Sequence, residues 1–174
     1  MSKLLSTEQM AEFANSGCLF FEGLIDEDIN KEFLNDIGHT DIDDVDNIQH
    51  YFQNIKSSSS IPRIPAGTAL KDAYPLNSPL EKIFKNEIVS GAINSLVGSK
   101  TVVDHQFLHL TFPSKYYEKA NQRQMSQVNH QDSTIDPRTT FDIQLFYFPT
   151  AVTKEMGGTR YHPGTHLRIV NEMG

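Results

Sequence analysis

The sequence predicts a mainly β fold with flanking α-helices. Segments 101–112 and 140–148 alternate their side chains between two faces, as strands do, and the short apolar run 18–25 indicates another strand. Three further segments place apolar residues at helical spacing behind a capping residue. The length of 174 residues predicts a single domain. Helices and a short strand are expected over 1–100, and the main strands over 101–174.

The three predicted helices have recognisable starts and ends. The first spans 6–17, opening with the capping box S-T-E-Q and ending at a glycine. The second spans about 26–37, with Asp26 as its N-cap and acidic residues in its first turn. The third spans 78–98 and opens with S-P-L-E, which places proline at the first helical position. Segment 61–74, with two prolines, is predicted to be irregular.

Composition excludes several classes of function. The net charge of −7 and pI near 5.4, without a cluster of Lys and Arg, argue against binding to nucleic acids or to anionic membranes. A single cysteine, Cys18, excludes an intramolecular disulfide and a cysteine zinc cluster. The acidic run 41–46 lacks the glycine of a calcium loop. Without a leader-like N-terminus or a membrane-length apolar run, we expect a soluble cytoplasmic protein.

A candidate metal site begins at His130-Gln131-Asp132. If these residues are extended, the side chains of His130 and Asp132 point to the same side. One imidazole and one carboxylate are two of the three ligands of the 2-His-1-carboxylate set, which suits Fe(II). On its own, such a triplet is more often a surface turn or an ordinary ion pair.

The residues after this triplet strengthen the metal interpretation. The alternating segment 140–148 follows, then a polar connection, then Gly157-Gly158, a short run and Pro163-Gly164-Thr165-His166. This order, over roughly 128–168, resembles the phytanoyl-CoA dioxygenase family of Fe(II)/2-oxoglutarate-dependent oxygenases. The resemblance implies a double-stranded β-helix, a jelly-roll or cupin-like barrel with the iron at its open end. It also implies hydroxylation of a small organic substrate, with 2-oxoglutarate as the cosubstrate.

The resemblance carries over to individual residues of this chain. It implies that His130 and Asp132 are metal ligands. It implies that Gln144 and Phe146 line the cosubstrate pocket, although packing against a second sheet is the alternative for both. His166 matches the histidine of the family's turn, which is not a metal ligand.

Two functional groups of the family come from strands well after the turn, namely a second histidine ligand and an Arg or Lys that holds 2-oxoglutarate. Only eight residues follow His166, and Arg168 is too close to the turn to match. We therefore expect 1–174 to be an incomplete domain that ends partway through its barrel. An incomplete barrel would expose strand edges through which copies of the chain could associate.

Two other classes of function remain open. One is a degenerate, cupin-like binding module without catalysis, in which His130 and Asp132 only make hydrogen bonds. The other is a zinc hydrolase that uses His130, Asp132 and His166 with a bound water. His105 and His109, two steps apart on segment 101–112, could also reach a metal, but pairs of this kind are more often pocket or surface residues.

Overall fold

The computed structural model describes residues 2–39, 61–109, 142–153, 156 and 158–167. Helices account for about 40% of these residues, and the strands among them form one sheet of two short members. The predicted mainly β fold, a double-stranded β-helix, is therefore wrong. The described residues form a small helical assembly with a short β-ribbon.

The first helix, α1, spans Thr7–Ser16 and confirms the predicted capping box. The Ser6 side chain accepts a hydrogen bond from the Gln9 amide, and the Gln9 side chain accepts one from the Ser6 amide. Gly17 ends the helix in the left-handed conformation, with φ of 80°. The sequence was sufficient to predict both ends of this helix.

The second helix, α2, spans Glu27–Asp36, as predicted. Asp26 occupies the N-cap, but its side chain makes no capping hydrogen bond. Its backbone carbonyl instead accepts the amide of Asn30 at 3.1 Å. The buried face of the helix carries Phe33 and continues into Ile37 just beyond the helix end.

The predicted third helix is two helices, α3 at Pro79–Lys85 and α4 at Glu87–Leu96. Between them, Asn86 leaves the helical conformation and caps α4, because its side-chain oxygen accepts the amides of Ile88 at 2.9 Å and Val89 at 3.3 Å. Asparagine favours this arrangement, since its short side chain competes for backbone donors. The prediction of one continuous helix over 78–98 is wrong at this residue.

The β-ribbon joins β1, Thr68–Ala69, to β2, Val102–Val103. The two strands are antiparallel, with Thr68 opposite Val103 and Ala69 opposite Val102. A 3₁₀ turn, Leu70–Asp72, follows β1 directly. Segment 61–74, which was predicted to be irregular, therefore contains one of the two strands of the ribbon.

Among the described residues the other predicted strands are not formed, and the described part of 101–112 contains only β2. Segments 18–25 and 142–148 contain no strand. A strand needs a neighbour that completes its hydrogen-bond ladder, and alternation of side chains does not supply that neighbour. The alternation itself is retained, since the rings of Phe146 and Phe148 stack with their centroids 6.5 Å apart.

The core lies where α2 packs on α3 and α3 packs on α4. Its largest fully buried side chain is Ile83, which is 2% exposed. At the edge of this contact, Lys82 of α3 pairs with Glu32 of α2. No helix in the described ranges is long and apolar enough to cross a membrane. The buried apolar residues are Phe33, Ile37, Ala73, Ile83, Val89, Ala92 and Ile93.

The N-terminal segment lies along α4. The Lys3 amide donates to the Glu87 carbonyl at 2.8 Å, and the Leu5 amide donates to the Ser95 hydroxyl at 3.0 Å. Gly91 faces this segment, and a Cβ atom there would overlap the backbone of Lys3. A glycine in the middle of α4 therefore allows the N-terminal segment to lie directly on the helix.

Candidate functional site

The two predicted iron ligands, His130 and Asp132, lie outside the described residues. Their role therefore stays a prediction. Their donor chemistry fits Fe(II) in part, because an imidazole and a carboxylate make up two members of the three-ligand set. Within the described part of the chain, no group of three or more His, Cys, Asp or Glu side chains is arranged to hold a metal ion. The described residues that flank the motif are 142–153 and 158–167.

The P-G-T-H turn is seated on the C-terminal end of α1. The Gly164 amide donates to the carbonyl of Ser16 at 3.0 Å. The last carbonyls of a helix have no partner within the helix, so the turn caps one of them. The Thr165 hydroxyl donates to the His162 carbonyl at 2.7 Å, and a 3₁₀ turn, Thr165–Leu167, follows. The turn is thus fixed both by its own hydrogen bonds and by α1.

The imidazole of His166 packs against this end of α1. Its ring centroid lies 6.3 Å from that of Phe13, and a Cβ atom on Gly17 would overlap its Nδ1. Nδ1 is buried and has no hydrogen-bond partner among the described residues. A second contact joins the same two segments, since the rings of Phe20 and Tyr161 lie 5.6 Å apart. His166 is therefore a packed side chain of the turn.

Segment 142–148 is anchored on α2 through Tyr147. The hydroxyl of Tyr147 donates to Oδ1 of Asn30 at 2.6 Å, and its ring meets Phe33 edge-on with centroids 5.2 Å apart. Burial raises the pKa of Tyr147 to about 12, so the phenol stays protonated and remains a donor at neutral pH. Tyr147 thus fixes which side of the segment faces the helices.

Gln144 and Phe146 lie on the other side of this segment and are exposed, Phe146 at 58%. Neither side chain lines either of the two cavities found among the described residues. Because the proposed metal ligands lie outside the described residues, the placement of Gln144 and Phe146 does not test whether they contact 2-oxoglutarate. Their cosubstrate role stays a prediction.

His105, Phe107 and His109 form a row of rings on one face, as predicted. Phe107 lies 5.9 Å from His105 and 6.2 Å from His109, measured between ring centroids. The Nδ1 atom of His105 contacts the carboxylate of Asp104 at 2.8 Å, and both side chains are exposed. The contact between His105 and Asp104 lies on the surface, and no third donor joins it among the described residues.

A smaller cavity of about 140 Å³ lies where the two alternating segments meet the helices. Phe107 and Leu108 reach it from one segment, and Leu145 and Tyr147 from the other. The floor includes Ile83 and neighbouring core side chains. The alternating segments therefore approach each other over α2 and α3 without forming a ladder.

A larger cavity of about 670 Å³ lies between the β-ribbon, α3, α4 and the N-terminal segment. Its apolar lining includes Leu70, Phe84 and Ile93. The ring of Tyr74 stacks on Phe84 with centroids 4.9 Å apart, and Tyr74 lines both cavities. This cavity has the size and apolar lining of a small-molecule site.

Charged side chains surround the larger cavity. Lys85 pairs with Glu81 at 2.5 Å, and the Asn77 amide donates to the same carboxylate at 2.7 Å. These two hydrogen bonds, that of Lys85 first, hold the pKa of Glu81 below its usual range. Lys71 meets Asp72 only at 3.9 Å, and Lys100 has no ion pair among the described residues. Lys71 and Lys100 are therefore the cations most available to a ligand.

Comparison with known proteins identifies no relative of this chain. No protein-family model, no curated protein sequence and no solved structure matches the chain. The link to Fe(II)/2-oxoglutarate oxygenases accordingly rests on the resemblance over 128–168. The larger cavity is interpreted from its own side chains.

Sequence reasoning missed the larger cavity. Its charged residues come from three separate parts of the chain, at Lys71, between Glu81 and Glu87, and at Lys100, and no linear pattern joins them. One cue was present. Gly98 ends the α3–α4 region, so the lysine two residues later lies in the turn that leads from α4 to β2. The cavity becomes visible once β1 and β2 are paired.

Proposed function

We propose that this protein is an Fe(II)/2-oxoglutarate-dependent oxygenase related to the phytanoyl-CoA dioxygenase family, with a small organic substrate. His130 and Asp132 are its metal ligands. The observation that carries the proposal is the order of H-x-D, alternating segment and P-G-T-H over roughly 128–168. Each piece is common by itself, and the specificity lies in their combination and spacing.

The chain's own residues have distinct roles in this proposal. His130 and Asp132 hold Fe(II), and Gln144 and Phe146 contact the cosubstrate. The metal, when bound, would supply the chemistry that oxidises a substrate C–H bond, in a reaction that consumes 2-oxoglutarate and dioxygen. Tyr147 supports Gln144 and Phe146 indirectly, because its hydrogen bond to Asn30 directs them away from α2.

The packing of His166 favours iron over the zinc hydrolase. A zinc site built from His130, Asp132 and His166 needs an imidazole nitrogen directed at the metal. In the structure the ring lies against Gly17 and Phe13, with Nδ1 buried there. Only Nε2 of this ring is left to reach a metal, and the packing on Phe13 and Gly17 gives His166 a role in fixing the turn.

A second candidate function is a binding module without catalysis. The helical architecture favours it, since it differs from the barrel that the resemblance implies. In such a module His130 and Asp132 make hydrogen bonds only, and Fe(II) does not bind with useful affinity. Metal affinity therefore separates the two candidates.

Replacement of Asp132 by alanine is expected to weaken Fe(II) binding at least about 100-fold, because removal of even an outer-shell partner costs about 10- to 100-fold. Anaerobic titration calorimetry with Fe(II) measures this effect. Asp104→Ala is the matched control, since it removes an exposed carboxylate beside His105 without touching the H-x-D triplet. It is expected to leave the dissociation constant unchanged.

Two outcomes would contradict the iron proposal. Folded wild-type protein that binds no Fe(II) would support the non-catalytic module. Tight Zn(II) binding that is lost in His166→Ala would support the zinc hydrolase, because the iron proposal gives His166 no metal contact.

A further inference from the structure

The larger cavity shares no residue with the proposed iron ligands. We propose that it binds a small organic anion with an apolar body. The anionic group lies at Lys71 and Lys100, and the apolar body lies on Leu70, Phe84 and Ile93. This site is independent of the iron proposal, and either one can fail without the other.

The size and lining of the cavity support this ligand class. Its volume of about 670 Å³ falls within the range of small-molecule sites, about 300 to 1,000 Å³. Phe84 and the stacked ring of Tyr74 give it a flat aromatic wall, and Ile93 of α4 gives it an aliphatic one. An aryl or short alkyl group buried there would lose water-exposed apolar area.

The distribution of charge selects an anion. The whole chain carries a net charge of −7, yet three lysines and two glutamates line this cavity. Lys85 already neutralises Glu81 at 2.5 Å. Lys71 and Lys100 therefore outnumber the one remaining carboxylate of the lining, Glu87, although Lys71 also contacts the carboxylate of Asp72 at 3.9 Å, and they favour an anionic group on the ligand.

Tyr74 adds a hydrogen-bond donor. Its ring is held against Phe84, and its hydroxyl has no hydrogen-bond partner among the described residues. Burial raises the pKa of Tyr74 to about 12, so the hydroxyl is protonated throughout the neutral range. A protonated phenol can donate to a carboxylate, sulfonate or phosphate oxygen.

The N-terminal segment and α4 complete the wall. Ser2 and Asn94 both line the cavity, and the Asn94 side-chain amide donates to the Ser2 hydroxyl at 3.3 Å. The close approach of Lys3 to Gly91 holds the segment in this position. The cavity is therefore bounded by backbone that is fixed by hydrogen bonds, as a preformed site requires.

Two fluorescent probes with the same aromatic body test the proposal. The probes are 1-anilinonaphthalene-8-sulfonate, which is anionic, and N-phenyl-1-naphthylamine, which is neutral. The anionic probe is expected to bind the 174-residue chain about tenfold more tightly than the neutral one, since charge-assisted hydrogen bonds add to the shared apolar contact. Octanoate is expected to displace it, and octanol is not.

Lysine variants localise the effect. Lys71→Gln and Lys100→Gln are each expected to weaken sulfonate binding about fivefold, and the double variant more than about tenfold, without changing the neutral probe. Lys31→Gln is the matched control. Lys31 lies on α2, where it pairs with Glu27 at 2.8 Å outside the cavity. It is expected to leave both probes unaffected.

Amide chemical shifts distinguish the cavity from the exposed aromatic rows that could also attract an aromatic probe. The proposal predicts shifts at Leu70, Tyr74 and Thr101 when the sulfonate binds. Shifts confined to Phe107 or to Phe146 would overturn it. Equal affinity for the two probes, or sulfonate binding that is unaffected in the double lysine variant, would also overturn it.

Discussion

Gly17→Ala is expected to lower the free energy of unfolding by more than about 2 kcal/mol. Two costs combine. Alanine in the left-handed conformation that Gly17 adopts, with φ of 80°, costs about 1 kcal/mol. Its Cβ would also overlap the imidazole of His166, so the side chain of His166 or the turn that carries it would have to shift. Urea unfolding followed by circular dichroism measures the sum.

Gly23 is a matched control for this substitution. It also has a positive φ, 61°, but no atom lies within 4 Å of the position that a Cβ would take. Gly23→Ala is therefore expected to cost only the backbone term, about 1 kcal/mol. Combining Gly17→Ala with His166→Ala should recover part of the additional loss, since the imidazole is removed. Equal costs at the two glycines would mean that His166 is not seated on α1.

Ile83→Ala is expected to lower the free energy of unfolding by about 3 kcal/mol, because it opens a void where α2, α3 and α4 meet. Ile83 is 2% exposed and is the largest fully buried side chain described. It packs where the three helices meet, so truncation removes buried apolar contacts that no neighbouring side chain is placed to replace. Chemical denaturation measures the difference in the free energy of unfolding between wild type and variant, with one m-value fitted to both curves.

Leu76→Ala is the matched control for Ile83→Ala. Leu76 is 76% exposed, so its truncation is expected to change the free energy of unfolding by no more than about 0.5 kcal/mol. A small effect at Ile83, comparable to that at Leu76, would show that the α2–α3–α4 contact is not the core on which the stability of the chain depends.

The sequence predicted helices well because helix starts and ends depend on nearby residues. The capping box at Ser6 and the glycine terminator at Gly17 lie within one turn of the backbone groups they satisfy. The one error, at Asn86, has the same local origin. An asparagine between two helical segments can cap the second of them, and its side chain does so here.

Strands were predicted poorly because their partners are distant in the sequence. The alternation at 142–148 places Tyr147, which packs on α2, on the side opposite to Phe146 and Phe148, which are exposed. It could not show whether another strand lies alongside. The pairing of Thr68 with Val103, which the structure does contain, joins a segment with no alternation to a short part of one that has it.

The two candidate sites also differ in how far apart their residues lie in the sequence. The proposed iron ligands, His130 and Asp132, are separated by one residue, so an i, i+2 argument from the sequence can bring them together. In the larger cavity, Lys71 and Lys100 are brought together by the antiparallel pairing of β1 with β2 and by the packing of α3 and α4. A site of this second kind depends on tertiary contacts, and it is accessible only from the structure.

The most direct test of the proposed function is an anaerobic absorption titration of the 174-residue chain with Fe(II), with and without 2-oxoglutarate. The iron proposal predicts a weak visible charge-transfer band that requires both components, is abolished in Asp132→Ala and is retained in Asp104→Ala. Folded, soluble protein that shows no such band at saturating Fe(II) and 2-oxoglutarate would contradict the proposal.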